Sequence, residues 1–238
     1  MLLYFLRHGD PIYEPDQLTE KGKTQAEALS RRLLLSQIDE IYASSSVRAC
    51  QTAQPLADKL HKEICKMDWC HENLAHRDFS ITDEDGQRRW FFESESFLRR
   101  MGQNDVAQMG FEWYRHPLFA DTKCGEGYLR IARHTDEFLA SLGYLHDTKN
   151  HCYTAAEPNE KRIALFAHGG FGRAFLAHVM DIPLPYFVRF MNNHSGMTVI
   201  RFSAFEDGIT FPKLLMFSGD GHLYKEGLPT TFNNGILL

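Results

Sequence analysis

The sequence lacks the features that mark membrane, secreted and nucleic-acid-binding proteins. Its early apolar run, Met1 to Leu6, is broken by Arg7 and His8 and falls far short of the roughly 18 residues of a membrane span. Five cysteines in 238 residues, an odd number without CxxC spacing, do not form a disulfide scaffold. A net charge of −5 gives no broad basic surface for polyanions. We therefore expect a cytoplasmic protein with reduced thiols and without nucleic-acid or membrane partners.

Metal-binding patterns are also scarce. Cys65, Cys70 and His71 resemble part of a zinc site, but no second pair with zinc-like spacing follows. We expect no metal and no cofactor, and hence no effect of chelators on activity. Structural rather than catalytic roles are expected for four further residues: His178 and Asp181 at a helix end, and His194 and His222.

The composition and the order of predicted elements favour an α/β fold. Hydrophobic residues make up 43% and charged residues 24% of the chain, as in ordinary folded domains. Apolar patterns predict strands over 2–6, 38–43, 64–67, 162–167, 197–202 and 211–217, and helices over 20–35, 47–60, 126–142 and 171–180. This alternation predicts three layers, α/β/α, with a mostly parallel central sheet.

Two segments interrupt the alternation. Residues 148–160 are polar and are expected to form a surface loop. Residues 70–124 are rich in aromatics and are interpreted as a largely helical cap inserted into the domain, with Arg77 and Arg89 as candidates to face the substrate.

Basic and imidazole side chains follow three predicted strands, in residues 6–9, 44–52 and 167–170. The carboxyl ends of parallel strands share one edge of a sheet, so we expect these segments to meet in one crevice. Arg7 and Arg48 offer forked donors for phosphate oxygens, and the helix N-termini after Ser46 and Gly170 add backbone N–H groups. The sequence therefore predicts a pocket for a phosphoryl group.

A histidine in such a pocket is suited to nucleophilic attack. Each guanidinium within about 5 Å of His8 would disfavour its imidazolium form by about 3 kcal/mol at an effective dielectric of about 20. The ring would stay neutral, with one nitrogen held by a carbonyl and the other free to attack phosphorus.

Four short motifs occur in order along the chain: Leu6 to Gly9, Leu18 to Ala26, Ser44 to Ala53, and His168 to Gly170. In order, spacing and local sequence they resemble the motifs of the histidine phosphatase superfamily, also called phosphoglycerate mutase-like. The resemblance covers most of the chain outside the insertion.

The resemblance implies a phosphohistidine intermediate on His8 and a phosphate pocket built from Arg7, Arg48 and His168. Gly169 begins a turn that is expected to face the ligand. An acidic proton donor is expected between the second and fourth motifs. The substrate would be a small phosphorylated molecule.

The identity of the donor is open among four carboxyl groups. Glu72 is preferred, because the family usually places the donor shortly after the third strand and burial under the cap would raise the pKa of that carboxyl. Asp78, Asp83 and Glu84 are the competitors.

The chain also departs from the family pattern. After Gly9 many members carry Glu, Gln or Ala and then Ser or Thr, whose hydroxyl contacts phosphate, whereas this chain has Asp10 and Pro11. The mutase branch also has a longer stretch between the first two motifs; here eight residues separate Gly9 from Leu18, which favours hydrolase over mutase. A phosphoglycerate mutase-type transferase and a catalytically weak phosphate-binding module remain alternatives. A site assembled from residues 7 to 168 predicts one domain over 1–238, and exposed aromatics leave a homodimer open.

Overall fold

A computed structural model describes residues 1–230. The described residues contain strands of different lengths. They are β1 (Leu2–Arg7), β2 (Pro11–Ile12), β3 (Gln17–Leu18), β4 (Glu40–Ser44), β5 (Ile64–Met67), β6 (Ser80–Thr82), β7 (Arg88–Trp90), β8 (Tyr144–Asp147), β9 (Cys152–Ala155), β10 (Arg162–Ala167), β11 (Met197–Arg201), β12 (Ile209–Thr210) and β13 (Lys213–Gly219).

Helices cover both faces of the sheet and fill the inserted region. The α-helices are α1 (Glu20–Leu34), α2 (Val47–Leu60), α3 (Glu72–Phe79), α4 (Glu95–Met101), α5 (Asn104–Gln108), α6 (Cys124–Ser141), α7 (Gly169–Val179), α8 (Leu184–Phe187) and α9 (Gly221–Lys225). Short 3-10 turns lie at Asp68–Cys70, Gly110–Arg115 and Pro117–Phe119. None of the helices within residues 1–230 combines the length and apolar character needed to cross a membrane.

The central sheet has six strands in the order β13-β11-β1-β10-β4-β5. β1, β10, β4 and β5 pair in parallel, whereas β11 is antiparallel to β1 and β13 to β11. Their parallel arrangement brings the carboxyl ends of β1, β4 and β10 to one edge of the sheet. The fold is therefore the three-layer α/β/α architecture predicted from the sequence.

β1 shows why the sheet needs helices on both sides. Leu3 and Phe5 belong to the hydrophobic cluster formed with α6, α7 and the inserted segment, while Tyr4 and Leu6 belong to the cluster formed with α1 and α2. Successive side chains of a strand point to opposite faces, so a continuous apolar run is buried on both.

Local signals set several helix boundaries as predicted. The Thr19 side chain accepts a hydrogen bond from Gly22 N at 2.9 Å and caps α1. Ser46 caps α2 in the same way through Ala49 N. These caps satisfy N–H groups that a helix start leaves without partners.

The prediction of a surface loop over 148–160 is wrong for its central part. Residues Cys152–Ala155 form β9, which pairs with β8, and Tyr153 is buried with its ring stacked on His146 at 4.2 Å. Because the flanking residues are polar, the sequence pattern did not indicate this strand. Its buried side chains pack against β8 and Phe202.

The inserted region is less helical than expected. The β6–β7 hairpin follows α3, and the helices α4 and α5 are short. Its aromatics Phe91, Trp113 and Phe119 are buried in the same cluster as α6 and α7. The description of the chain as one domain with a cap remains a prediction.

Candidate active site

A cavity of about 800 Å³ opens at the carboxyl edge of the sheet. β1 ends there at Arg7, and α2 and α7 begin there. The hairpin after β1 and the inserted region supply the remaining walls. The cavity is lined by Arg7, Tyr13, Glu14, Pro15, Asp16, Arg48, His71, Glu72, Asn73, His76, Trp90, Phe92, Glu93, Gly169, Gly170, Arg173 and Met191.

His8 is buried beside this cavity, with 2% of its surface exposed. Its Nδ1 lies 2.7 Å from the carbonyl oxygen of Gly9. A carbonyl can only accept, so Nδ1 carries the proton and the Nε2 lone pair is free. Burial, and then the charges of Arg7 and Arg48, hold the pKa of His8 well below its usual 6.5. The two guanidiniums expected from the sequence do lower the pKa of His8, but burial is the larger cause.

Arg7 is held by the loop that precedes β11. Its Nη1 donates to the Asn192 carbonyl, and its Nη2 lies 2.9 Å from Nε2 of His194. The ring of His194 is 5.4 Å from that of His8. His194, expected to be structural, therefore belongs to the site as a partner of Arg7. Burial, and then Arg7, lower its pKa to about 3, so the ring is neutral and accepts from the guanidinium.

Arg48 is fixed by a carboxylate and an imidazole. Its Nη1 donates to Asp16 at 2.6 Å, and Asp16 also accepts from Val47 N at 2.8 Å. Its Nη2 lies 3.2 Å from Nδ1 of His168. Asp16 therefore caps the start of α2 and anchors the hairpin over the cavity, a role that sequence reasoning missed.

His168 is fully buried, and both of its ring nitrogens have protein partners. Nε2 lies 2.8 Å from Ser44 Oγ, and Nδ1 faces Arg48. The ring centroid is 5.2 Å from that of His8. Burial, and then His8 and Arg48, lower the pKa of His168 far below 6.5. His168 does not line the cavity, and in the structure it orients Arg48 instead of making the phosphate contact that the resemblance implies.

Three guanidiniums at the cavity have an unpaired donor. The buried Nε atoms of Arg7, Arg48 and Arg173 find no hydrogen-bond partner among residues 1–230. Arg173 was not among the residues singled out from the sequence; its guanidinium lies 4.2 Å from the ring centre of Phe92. Buried N–H groups without acceptors are costly, and an anion in the cavity is the kind of acceptor they lack.

Glu72 is partly buried at the start of α3 and reaches the start of α7. Its Oε1 accepts from Gly170 N at 2.9 Å and its Oε2 from Phe171 N at 3.1 Å. Burial raises the pKa of this carboxyl, while the two backbone hydrogen bonds act in the opposite direction. The N–H groups at the start of α7, expected to face phosphate, are therefore occupied by Glu72.

The three competing carboxyl groups lie elsewhere. Asp78 is buried and pairs with Arg130 at 2.9 Å and with Arg77 at 2.7 Å. Asp83 and Glu84 line a separate surface cleft. Of the four candidate donors, Glu72 is the one that lines the cavity.

The two arginines proposed to face the substrate from the cap do not reach the cavity. Arg77 is exposed and pairs with Asp78. Arg89 pairs with Asp83 at 3.0 Å on the surface cleft. Nearby carboxylates hold both side chains on the outside, and Arg173 of α7 is the additional arginine at the cavity.

Two glycines lie where backbones or side chains approach closely. A Cβ on Gly169 would lie 3.1 Å from the Arg7 guanidinium, and one on Gly9 would lie 2.6 Å from the Gly22 carbonyl oxygen. Gly9 N also donates to Thr52 Oγ1 at 3.0 Å, which ties the histidine loop to α2. Thr52 therefore supports the backbone beside His8.

Of the remaining polar residues, His71 lines the cavity, whereas His222, His178 and Asp181 do not. His222 is buried and bonds Ser195 Oγ at 3.0 Å. Cys65, Cys70 and His71 form no ligand cluster in the part of the chain that is described. His178 and Asp181 lie at and beyond the end of α7, as expected, but both belong to a second polar cluster.

Comparisons with solved structures identify the same fold in several enzymes. A mutant phosphoserine phosphatase from Entamoeba histolytica in complex with phosphoserine has 18% identity and a TM-score of 0.59, covering 93% of this chain and 98% of that one. Mycobacterial glucosyl-3-phosphoglycerate phosphatase has 18% identity and a TM-score of 0.58, covering 92% and 99%. A putative α-ribazole-5′-P phosphatase from Escherichia coli has 16% identity and a TM-score of 0.58, covering 92% and 97%. At these identities the likeness concerns the fold.

Sequence comparison gives the family. A search of curated proteins finds no significant match. The sequence profile of the histidine phosphatase superfamily (branch 1), in contrast, matches residues 3–210, which include all four motifs. Together with the shared fold, this match indicates the general class of activity, that of an enzyme acting on phosphate esters. The chain belongs to the histidine phosphatase superfamily.

Proposed function

We propose that this protein hydrolyses small phosphate monoesters through a phosphohistidine intermediate on His8. The observation that carries the proposal is the state of His8. The ring is buried and neutral, its Nδ1 proton is held by a carbonyl and its Nε2 is free, beside two guanidiniums with unpaired Nε donors. This is the arrangement that an uncharged nucleophile for a phosphoryl dianion requires.

In the first half-reaction, Nε2 of His8 attacks phosphorus and the bond to the ester oxygen breaks. Arg7 and Arg48 stabilise the charge on the transferring oxygens. Glu72, with its pKa raised by burial, gives its proton to the departing alkoxide. The products are an alcohol and a phosphohistidine.

In the second half-reaction, water attacks the same phosphorus. The Glu72 carboxylate takes the proton of the water, and the bond between phosphorus and Nε2 breaks. Inorganic phosphate leaves, and both His8 and Glu72 return to their starting protonation states. His168 and Asp16 act as positioning residues, because they hold Arg48 in place throughout.

Hydrolysis is preferred over mutase chemistry because of the segment after Gly9. Eight residues join Gly9 to Leu18, and they fold as the β2–β3 hairpin against the cavity. A mutase must retain the phosphoryl group and return it to a second position of the bound substrate. Two of the structural neighbours are named as phosphatases, one of phosphoserine and one of glucosyl-3-phosphoglycerate, and this also favours a phosphatase.

Rapid-quench labelling tests the proposal. The protein is mixed with a panel of ³²P-labelled phosphomonoesters, and acid-labile, base-stable protein phosphate is trapped. The label and the release of phosphate should both vanish in His8→Ala and persist in His134→Gln, a variant of a half-buried histidine of α6 that pairs with Glu137 and does not line the cavity. Absence of label and turnover in the wild type would instead favour a phosphate-binding module. Conversion of 3-phosphoglycerate to its 2-phospho isomer with a bisphosphate primer would favour a mutase.

A further inference from the structure

A second cluster of titratable side chains lies at the far end of α7. It consists of Asp136 on α6, His146 on β8, His178 near the end of α7, and Asp181 just beyond it. His178 follows His168 by ten residues of helix, which corresponds to about 15 Å. The cluster is therefore separate from the site of the proposed phosphatase, and its role does not depend on that proposal.

Three ligand-type atoms converge on one point in this cluster. Oδ1 of Asp136 lies 2.8 Å from Nδ1 of His146 and 2.7 Å from Nε2 of His178. The two ring nitrogens are 3.3 Å apart. Donor atoms around a tetrahedral zinc ion lie about 3.3 Å apart, so a small outward shift of the Asp136 carboxylate would make room for the ion.

The hydrogen bonds fix the orientation of the His146 ring. Nε2 of His146 lies 3.2 Å from the Asp181 carboxylate, which can only accept, so Nε2 donates to it. Nδ1 is therefore the nitrogen that points to Asp136 and His178. The Asp136 carboxylate lies within hydrogen-bond distance of both rings, and a metal ion at this point would take all three atoms as ligands.

The surroundings are those of a metal ligand set. Metal-bound histidines usually donate their second N–H to a carboxylate, and Asp181 receives that bond from His146. The His146 ring is further fixed by stacking on Tyr153 at an interplanar angle of 7°. Asp181 also lies 3.2 Å from Nδ1 of His151. The outer contacts thus hold the ring in the orientation that points Nδ1 inward.

The cluster is reachable and has an open side. Asp136 and His178 line a cavity of about 510 Å³, whose walls include Phe111 and Tyr128. The side chain of Asp136 is 35% exposed, while that of His146 is 1% exposed. A bound ion would take three protein ligands from the inner side and leave a fourth position towards the cavity.

We propose that Asp136, His146 and His178 bind a divalent transition-metal ion of the zinc type, with Asp181 as the outer partner of His146. Two imidazoles with one carboxylate suit Zn²⁺, Co²⁺ or Ni²⁺, whereas Mg²⁺ and Ca²⁺ prefer oxygen ligands. The ion joins α6, β8 and α7 and stabilises their packing, at a distance from the phosphate cavity.

Calorimetric titration of the metal-free full-length protein with ZnCl₂ tests the site. We expect one equivalent bound with a dissociation constant of about 1 µM or lower at pH 7.5. Saturating zinc should raise the melting temperature by roughly 5 to 10 °C at about 100-fold excess over the dissociation constant. Co²⁺ should give a visible absorption band from its nitrogen and oxygen ligands, while MgCl₂ should produce no effect.

Variants assign the ligands. His178→Gln should weaken zinc binding by more than about 100-fold, and Asp181→Asn by about 10- to 100-fold. His134→Gln, which removes a histidine two residues before Asp136 on the same helix, should bind zinc like the wild type. Circular dichroism and melting without metal establish that each variant is folded. The proposal is overturned if the wild type shows no saturable zinc binding, or if folded His178→Gln retains the wild-type affinity and cobalt spectrum.

Discussion

Replacing Glu72 by glutamine separates the proposed proton transfer from a purely structural role. The side chain keeps its length but loses its acidic proton. An alkyl phosphate has a poor leaving group that needs this proton, whereas p-nitrophenyl phosphate has a good leaving group that does not. Loss of a general acid typically costs about 100- to 10,000-fold in rate, and we expect this loss with the alkyl phosphate.

The structure also sets a stability cost for the substitution. Glu72 accepts one N–H on each carboxyl oxygen, from Gly170 and Phe171. Glutamine offers one oxygen, and its NH₂ group would face the other N–H. A buried N–H group left without an acceptor costs about 1 to 3 kcal/mol. The variant should therefore unfold at lower denaturant concentration while remaining folded without denaturant.

The assay is single-turnover formation of the phosphoenzyme, measured by rapid quench with each substrate. Glu72 is also proposed to activate water in the second step, so steady-state rates would mix two effects. The first-step rate should fall steeply with the alkyl phosphate and much less with p-nitrophenyl phosphate.

Asp78→Asn is the matched control. It alters a buried carboxyl on the same helix that pairs with Arg130. It should lower stability without changing the ratio of the two substrates. An equal loss with both substrates in Glu72→Gln, or a selective loss in Asp78→Asn, would refute the assignment of Glu72 as the acid.

Further predictions concern the phosphate pocket, pH and metal removal. Gly169→Ala should lower kcat/KM by up to about 10-fold, because its Cβ would lie 3.1 Å from the Arg7 guanidinium and shift it by a few tenths of an ångström. Gly102→Ala, at a helix end with room for Cβ, should match the wild type in the same kinetic assay. Burial, and then Arg32, lower the pKa of His222 to about 4, so its contribution to stability is complete above pH 6.5 and is lost as the pH falls towards 4. The free energy of unfolding, measured with urea at several pH values, should therefore change with pH less steeply in His222→Gln, by about 1.4 kcal/mol per pH unit over that range. An unchanged pH dependence would contradict the lowered pKa of His222. Treatment with a chelator, at a temperature where the metal-free protein is folded, should leave the rate of phosphate release unchanged, because the proposed chemistry uses no metal. A loss restored by added zinc in His178→Gln, which lacks a ligand of the proposed zinc site, would show otherwise.

Short local sequence patterns were sufficient to predict where Arg7, His8 and Arg48 lie in the fold. The apolar run before Arg7 and His8 can only be buried on both faces of a sheet, so the two residues must emerge at its carboxyl edge. Ser46 is a strong helix cap, and it fixes the start of α2 and thus the place of Arg48. These features depend on neighbours in the chain, which is why they could be predicted.

Sequence alone left the identity of the acid open, because the four candidate carboxyl groups all follow β5 within a short distance. Burial and partners separate them in the structure: Glu72 bonds the start of α7, while Asp78 is paired with arginines. The cap arginines were misjudged for the same reason. Arg89 is held by Asp83 on the outside, and no local pattern reveals such a partner.

By itself, the sequence determined the fold class and the positions of Arg7, His8 and Arg48, because strand, cap and turn signals are local. The resemblance of its four motifs indicated the family. The tertiary structure decided which distant residues complete the site. Asp16 on Arg48 and His194 on Arg7 are joined by contacts between segments far apart in the chain. The cluster around His146 also exists only where two helices and a strand meet. Convergence of side chains depends on packing, and a pattern read along one chain does not contain it.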